Sequence, residues 1–142
     1  MKNLNRVLRL KRECYRAAEK LDELETLSER LTANLSDMPR SDSPTPMDEW
    51  WARYIDQRTY AAEKLQAYIN EIDNLEKELN QLHDENVRLA MQYRYINGRK
   101  VSEIAEAMYY SERYVYKLLK KGRKEYNSLF REEQTDGTPS LK

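Results

Sequence analysis

Apolar residues recur near the N-terminus at alternating spacings of three and four, the heptad pattern of a helix that buries one narrow stripe. The stripe has one polar member, and its positions are Val7, Leu10, Cys14, Ala17, Leu21, Leu24, Ser28 and Leu31. No glycine or proline precedes Pro39, so nothing in the sequence interrupts this segment. The pattern predicts a long amphipathic helix.

A second segment repeats the same spacing without any glycine or proline between Pro46 and Gly98. Arg58 is its one exception, and the stripe consists of Trp51, Tyr54, Arg58, Ala61, Leu65, Tyr68, Ile72, Leu75, Leu79 and Leu82. Asp48 is suited to cap this second helix at its start. Proline and serine concentrate in the connection, which we expect to be a loop over about 36–47. Helices of about 30 to 35 residues would each be about 50 Å long, and together they predict an antiparallel, coiled-coil-like hairpin over 1–83.

A two-helix hairpin of this kind buries little surface, so we expect the hairpin to form a homodimer or to bind a partner. Trp50 and Trp51 strengthen this expectation, because neighbouring helical positions lie about 100° apart and cannot share one seam. One indole is free to cover the loop while the other faces a second subunit.

Beyond Leu82 the heptad pattern ends, and shorter elements follow, each with a residue suited to capping. The expected helices run from Glu85 to Ile96 after Asp84, from Ser102 through about Met108, and from Ser111 through about Tyr126. The alternative at the first of these is that the long second helix runs straight through without a break near residues 83–86. Gly98 is a suitable stop for the first of them. We therefore expect a second domain over 84–126 and a flexible tail over 127–142. The predicted fold class is all-α.

The last two of these helices match the requirements of a helix-turn-helix, in which small and apolar residues meet at a close crossing. The predicted inner positions are Ile104, Ala105, Met108, Tyr110, Val115 and Leu118 or Leu119, packed on Leu89 and Ile96. The predicted outer face of the second helix carries Glu112, Arg113, Tyr116, Lys117, Lys120, Lys121 and Lys124. Apolar residues on one side and cations on the other suit a helix lying in the major groove of double-stranded DNA.

The candidate contacts divide into base-reading and phosphate-binding groups. Arg113 and Lys117 could reach guanine edges, and Tyr114 or Tyr116 could contact thymine methyls or phosphate oxygens. The segment at the start of the first helix of the helix-turn-helix would also bind phosphates, through Arg99, Lys100 and Ser102. Glu112 could accept from cytosine, although a carboxylate in the first helical turn is also favoured by the helix dipole, which is our preferred interpretation.

The distribution of charge along the chain supports the assignment of a DNA-binding face. Net charge is zero overall, but residues 88–125 contain ten Lys/Arg and four Asp/Glu, and the remainder is correspondingly acidic. A basic face on a terminal helix can also be plain solvated surface. The accompanying helix-turn-helix spacing favours DNA binding.

The run RYINGRKVSEIAEAMYYSERYVYKLLKKGRKEY, residues 94–126, resembles region four of the sigma-70-type transcription factors. It resembles more closely the small phage regulators of late-gene transcription of the ArpU and RinA type. The resemblance implies a DNA-binding helix-turn-helix whose second helix reads DNA through residues Ser111 to Lys121. The family usually has glycine in the motif turn, where this chain has Tyr109, and a tyrosine there costs on the order of 1 kcal/mol or changes the turn.

Other classes of chemistry find little support. One cysteine, Cys14, and one histidine, His83, provide neither a disulfide framework nor a zinc ligand set. Cys14 fits as a small apolar filler of the seam. No carboxylate is paired with a nucleophile, so we expect neither an enzyme nor a cofactor or metal site. No apolar run approaches the roughly 20 residues of a membrane span, and we expect a protein of the cytoplasm of a host bacterial cell.

These expectations combine into a sequence-specific transcriptional regulator of phage or prophage genes, whose hairpin dimerises or contacts RNA polymerase. Two alternatives stay open. Small terminase subunits of DNA packaging also combine a helix-turn-helix with oligomerising helices, usually with the DNA-binding part first. A helical interaction protein that does not bind DNA is the other alternative. The operator, the sign of regulation and the oligomeric state do not follow from the sequence.

Overall fold

A computed structural model describes residues 3–33 and 45–130 of the chain. Within those ranges every regular element is an α-helix, which agrees with the predicted all-α class. The helices are α1 (Arg6–Ala33), α2 (Pro46–Leu79), α3 (Glu85–Tyr95), α4 (Val101–Met108) and α5 (Glu112–Leu129). Most of the expected loop over 36–47, and the expected tail from residue 131 onward, lie outside the described residues. Residues 127–129 continue α5 beyond its predicted end at Tyr126.

Packing divides the chain into two compact units, and both long helices pass from one unit into the other. The α1–α2 unit is Leu10–Tyr68, and the C-terminal unit consists of the described residues of Met1–Arg9 and Ile69–Lys142. A helix break lies beside the domain boundary expected at residue 84, because α2 ends at Leu79 and α3 begins at Glu85. The first turn of α1 and the end of α2 therefore pack with α3, α4 and α5.

The α1–α2 unit is held by polar contacts in which residue numbers fall along one helix as they rise along the other. Lys64 Nζ lies 2.7 Å from Glu13 Oε1, and Gln57 Nε2 donates to the Ala17 carbonyl at 3.5 Å. Farther along, the Trp50 indole N–H donates to the Leu24 carbonyl. This order is that of antiparallel pairing within the unit.

The seam predicted for α2 is wrong at Trp51, Arg58 and Leu65, which are exposed. The residues that precede them, Trp50, Gln57 and Lys64, are partly buried and make the contacts to α1. The Trp50 indole, the Gln57 amide and the Lys64 ammonium group bind polar atoms of α1. These side chains therefore pack their apolar portions inward while their polar ends keep hydrogen-bond or ion-pair partners. By contrast, every predicted seam position of α1 is at least partly buried.

The hydrophobic core of the C-terminal unit comes from each of its helical segments. Its fully buried large side chains are Val7, Leu75, Leu79, Leu82, Val87, Met91, Ile104, Val115, Leu119 and Tyr126. Leu89, expected on the inner face of α3, is exposed, and that face is formed by Val87, Ala90, Met91 and Tyr95 instead. Helix α3 is thus rotated from the orientation that the sequence suggested.

The cap predicted for α3 is confirmed, whereas the cap predicted for α2 is shifted in position. Asp84 caps α3, since its carboxylate accepts the Asn86 N–H at 2.8 Å. Asp48 does not cap α2 as predicted. It lies inside the first turn, where its Oδ2 accepts the Thr45 N–H at 3.0 Å while Thr45 Oγ1 accepts the Asp48 N–H at 3.1 Å. This reciprocal pair is a capping box in which threonine is the N-cap, and its hydrogen bonds lower the pKa of Asp48.

Candidate nucleic-acid interface

The connection between α4 and α5 contains a residue in the left-handed conformation. Tyr109 has φ 61° and ψ 40°, and its side chain is 92% exposed. The Tyr110 N–H donates to the Ala105 carbonyl at 3.0 Å and the Tyr109 N–H donates to the Glu106 carbonyl at 3.4 Å. These two bonds form a Schellman ending, which needs a positive φ at this position. The turn therefore keeps the geometry usual for glycine, with tyrosine carrying the steric cost.

Helix α5 begins as the sequence predicted. Ser111 has an extended backbone, and its Oγ accepts the Tyr114 N–H at 3.1 Å. The prediction that Ser102 caps α4 is wrong, because α4 already includes Val101 and Ser102 lies exposed in its first turn. Lys100 holds the cap position, where its N–H donates to Glu103 Oε1 at 2.9 Å. The Glu103 carboxylate thus satisfies a backbone donor where the helix starts.

The inner face of α5 packs closely on α3. Val115, Leu118, Leu119 and Tyr126 are buried, and of these the pattern predicted Val115 and one of the two leucines. Gly122 lies among them, and a Cβ at this position would be 2.6 Å from Met91 Cγ and Sδ and 2.9 Å from Val87 Cγ1. No larger residue fits unless those side chains move, so glycine sets the separation of the two helices.

Tyr110 was expected inside the motif but is 39% exposed. Its ring stacks edge-to-face on Tyr114 with centroids 4.7 Å apart, and its hydroxyl accepts from Asn86 Nδ2 at 3.2 Å. The left-handed Tyr109 immediately before it ends the α4 conformation, so Tyr110 no longer continues the buried face of that helix. An aromatic pair consequently stands at the surface beside the start of α5.

The structure places every predicted DNA-contacting side chain at the surface. The exposed set is Arg99, Lys100, Ser102, Ser111, Glu112, Arg113, Tyr114, Tyr116, Lys117, Lys120, Lys121 and Lys124. Arg113, Tyr116 and the four lysines lie along the face of α5 opposite its buried residues, while Glu112 and Tyr114 flank the buried face at the helix start. Arg99, Lys100 and Ser102 belong to a separate segment of the same unit, at the start of α4. Tyr109 and Tyr110, which were not among the predicted contacts, are also exposed beside the start of α5.

Two of the cations already interact with neighbours. The Arg99 guanidinium lies over the Tyr93 ring, 5.6 Å from its centroid, while the Arg94 Nη1 donates to the Arg99 carbonyl at 3.1 Å. Lys121 Nζ is 4.0 Å from Asp84 Oδ2, with both groups open to water. Ion pairs this exposed and this long are weak, so Lys121 can exchange its carboxylate for a phosphate at little cost.

On the buried side of α5, a polar cluster joins this helix to the first turn of α1 and the end of α2. Arg6 donates to Glu71 Oε1 at 2.6 Å, to Glu78 Oε1 at 2.9 Å and to the Tyr126 hydroxyl at 3.0 Å. The Tyr126 hydroxyl in turn donates to Glu78 Oε1 at 2.6 Å. Sequence reasoning missed this cluster, since its members are up to 120 residues apart. It anchors the buried face of α5.

The cluster changes the ionisation of its members. Burial would lower the pKa of Arg6, but hydrogen bonds to Glu71, Glu78 and Tyr126 raise it above the usual arginine value. Burial and the hydrogen bond to Glu78 raise the pKa of Tyr126 to about 12. A charged Arg6 and a neutral Tyr126 phenol are therefore the stable forms.

Within the ranges 3–33 and 45–130 the structure has no group of three or more His, Cys, Asp and Glu side chains that could hold a metal ion. In the same ranges no helix has the length and apolar character needed to cross a membrane. Comparisons with protein-family models, with curated proteins and with solved structures found no match for this chain.

Proposed function

We propose that the protein is a sequence-specific regulator of phage or prophage transcription that places α5 in the major groove of double-stranded DNA. The observation that carries the proposal is the division of α5 into two faces. One face is buried against the C-terminal unit, and the other exposes an uninterrupted series of cationic and tyrosine side chains. A helix anchored on one side and cationic on the other is what groove binding requires.

The positions along α5 suit different parts of the DNA. Arg113 and Lys117 are near the N-terminus of the helix, the end that contacts base edges in this mode of binding. Lys120 and Lys124 follow about one and two turns after Lys117, along the length that meets phosphates. The exposed Tyr116 hydroxyl is available for a phosphate oxygen. Glu112 and the Ser111 cap stay with the helix start, which they stabilise.

The proposal has an electrostatic consequence. The side chains of Arg99, Lys100 and the α5 lysines would neutralise phosphates and release counterions, so affinity should fall steeply with salt. For each phosphate contact removed, the slope of log K against log salt should decrease by about 0.9. The absence of DNA binding at low ionic strength, together with protein association that is insensitive to salt, would favour the helical interaction protein instead.

The direct test is a gel shift on the preferred sequence, selected from random DNA. Arg113→Ala combined with Lys117→Ala should weaken specific binding at least about tenfold, since a base contact is worth roughly 1–3 kcal/mol. Arg53→Ala combined with Arg58→Ala removes the same charge from exposed positions of α2 and should leave affinity unchanged. Equal affinities for all three proteins would refute the assignment of α5 as the reader.

The resemblance to late-gene regulators supports a role in transcription, and RNA polymerase is the second partner that this role would involve. A footprint at a promoter in the genome that encodes the protein would agree with regulation, and a footprint at a packaging site would support the terminase alternative. We further propose that the α1–α2 unit makes the protein a homodimer, which would present two copies of α5 to a symmetric site. Mass measurement in solution tests this part separately from DNA binding.

A further inference from the structure

The α1–α2 unit has almost no core of its own. Among the described residues of Leu10–Tyr68, Ala17 is the one hydrophobic residue that is buried. Tyr15 and Leu65 are 64% and 50% exposed, and both line a groove of about 360 Å³ whose exposed surface is almost entirely apolar. Long helices with so little burial are marginal alone, so association through this surface would stabilise the unit.

Three residues of the groove lining, Lys11, Tyr15 and Ala18, begin a stripe along α1 whose charge changes along its length. The stripe is spaced by four, three, four and three residues, which keeps it on one helical face: Lys11, Tyr15, Ala18, Asp22 and Glu25. Its N-terminal end is the cation Lys11, and its middle consists of the Tyr15 ring and the small Ala18 side chain. Its C-terminal end is acidic. Lys11, Asp22 and Glu25 make no ion pair within the described part of the chain.

We propose that this stripe binds the same stripe of a second copy, with the two α1 helices antiparallel and crossing at Ala18. Lys11 and Glu25 are both seven positions from Ala18, so the antiparallel arrangement places Lys11 of each copy against Glu25 of the other. Tyr15 then meets the other copy near Leu21, at the end of its groove. The alanine at the crossing lets the two backbones approach closely.

The charges select this arrangement over a parallel one. A parallel pair would set Lys11 against Lys11 and Glu25 against Glu25, which is repulsive at both ends. An antiparallel pair related by a two-fold axis is complementary at both ends, as an interface between identical surfaces must be. The proposal rests on the dimerisation part of the proposed function, and it specifies the surface and the orientation.

Cysteine cross-linking tests the orientation. In a Cys14→Ala background, Ala18→Cys should form an intermolecular disulfide under mild oxidation, because the two residues meet at the axis. Glu25→Cys is the matched control on the same stripe. Its two copies would be about 21 Å apart along the helices, beyond disulfide reach. A mixture of Lys11→Cys and Glu25→Cys chains should cross-link as heterodimers. Cross-linking at residue 25 alone, at both 18 and 25, or at neither would overturn the antiparallel pairing.

Charge exchange provides a second test that keeps Cys14. By sedimentation equilibrium, Lys11→Glu and Glu25→Lys should each raise the dimer dissociation constant about tenfold or more, since both ends of the interface become repulsive. The two variants mixed together should form heterodimers of wild-type strength, because each end is then complementary again. A wild-type dimer that is insensitive to these changes overturns the proposed surface but not dimerisation. A monomer of 17.1 kDa overturns both, while DNA binding keeps its own test in the gel shift.

Discussion

The close approach of α5 to α3 at Gly122 predicts that adding a single methyl group will destabilise the protein. In an exposed helix, Gly→Ala stabilises by about 1 kcal/mol, because alanine is the better helix former. Here the new Cβ would be 2.6 Å from Met91 Cγ and Sδ and 2.9 Å from Val87 Cγ1, and both neighbours are fully buried. Favourable carbon contacts are about 3.5–4.0 Å, so the side chains would have to retreat by roughly 1 Å.

Overpacking of this kind costs about 1–3 kcal/mol. Val87 is β-branched and stiff, and the Met91 atoms concerned lie in the middle of its side chain rather than at its end, so the cost should be in the upper part of that range. After the gain in helix propensity is subtracted, Gly122→Ala should lower the free energy of unfolding by about 1–2 kcal/mol. Urea denaturation followed by circular dichroism measures this change.

Ser128→Ala is the matched control, because it alters an exposed position of the same helix and should change stability by about 0.5 kcal/mol or less. Met91→Ala makes room for the methyl group. The double variant should therefore be more stable than the sum of the single effects predicts, by about 1 kcal/mol. If Gly122→Ala stabilises the protein by the full helix-propensity gain, the close contact between α3 and α5 is refuted.

Three further predictions concern the polar cluster and the turn. Arg6→Ala leaves Glu78 buried without its cation and should lower the free energy of unfolding, measured in urea, by about 3 kcal/mol. The control Lys77→Ala breaks an exposed ion pair and should lower it by under about 0.5 kcal/mol. Equal losses would contradict a buried network. Because the pKa of Tyr126 rises from 10.0 to about 12 on folding, its neutral form stabilises the protein below pH 10, and this contribution is lost as pH rises. Wild type should therefore lose about 2 kcal/mol more than Tyr126→Phe between pH 10 and 12, and parallel stability curves would refute the shift. Tyr109→Gly should raise stability by about 0.5–1 kcal/mol, because it removes the left-handed strain; an unchanged or lower stability would contradict that strain.

The α1 seam was predictable because only apolar spacing decides it. In α2 the same counting failed, since it treats Trp51 and Leu65 as inward and Gln57 and Lys64 as outward. The structure reverses these assignments because the polar ends of Gln57 and Lys64 find acceptors on α1. Apolar periodicity carries no information about such partners.

Around the candidate interface, the local capping rules held at Ser111 and Asp84 but failed at Ser102, and long-range rules were missing. The positive φ of Tyr109 was indicated by the resemblance to a family that has glycine in this turn. The cluster of Arg6, Glu78 and Tyr126 could not be predicted, because nothing local links residues so distant in sequence. Gly122 had a usable signal, since a glycine inside a helical pattern often marks a close helix contact.

The bond between Arg6 and Tyr126 also has a consequence for the order of events during translation. At elongation rates of about 5–20 residues per second, Tyr126 is added roughly 6 to 24 s after Arg6, which is 120 positions earlier. During that interval Arg6, in the first turn of α1, has been synthesised but Tyr126, its hydrogen-bond partner, has not. Leu10–Tyr68 contains no residue of the cluster and is complete long before α5 is synthesised. We therefore expect the proposed association through the α1–α2 unit to become possible in nascent chains before the proposed binding of DNA.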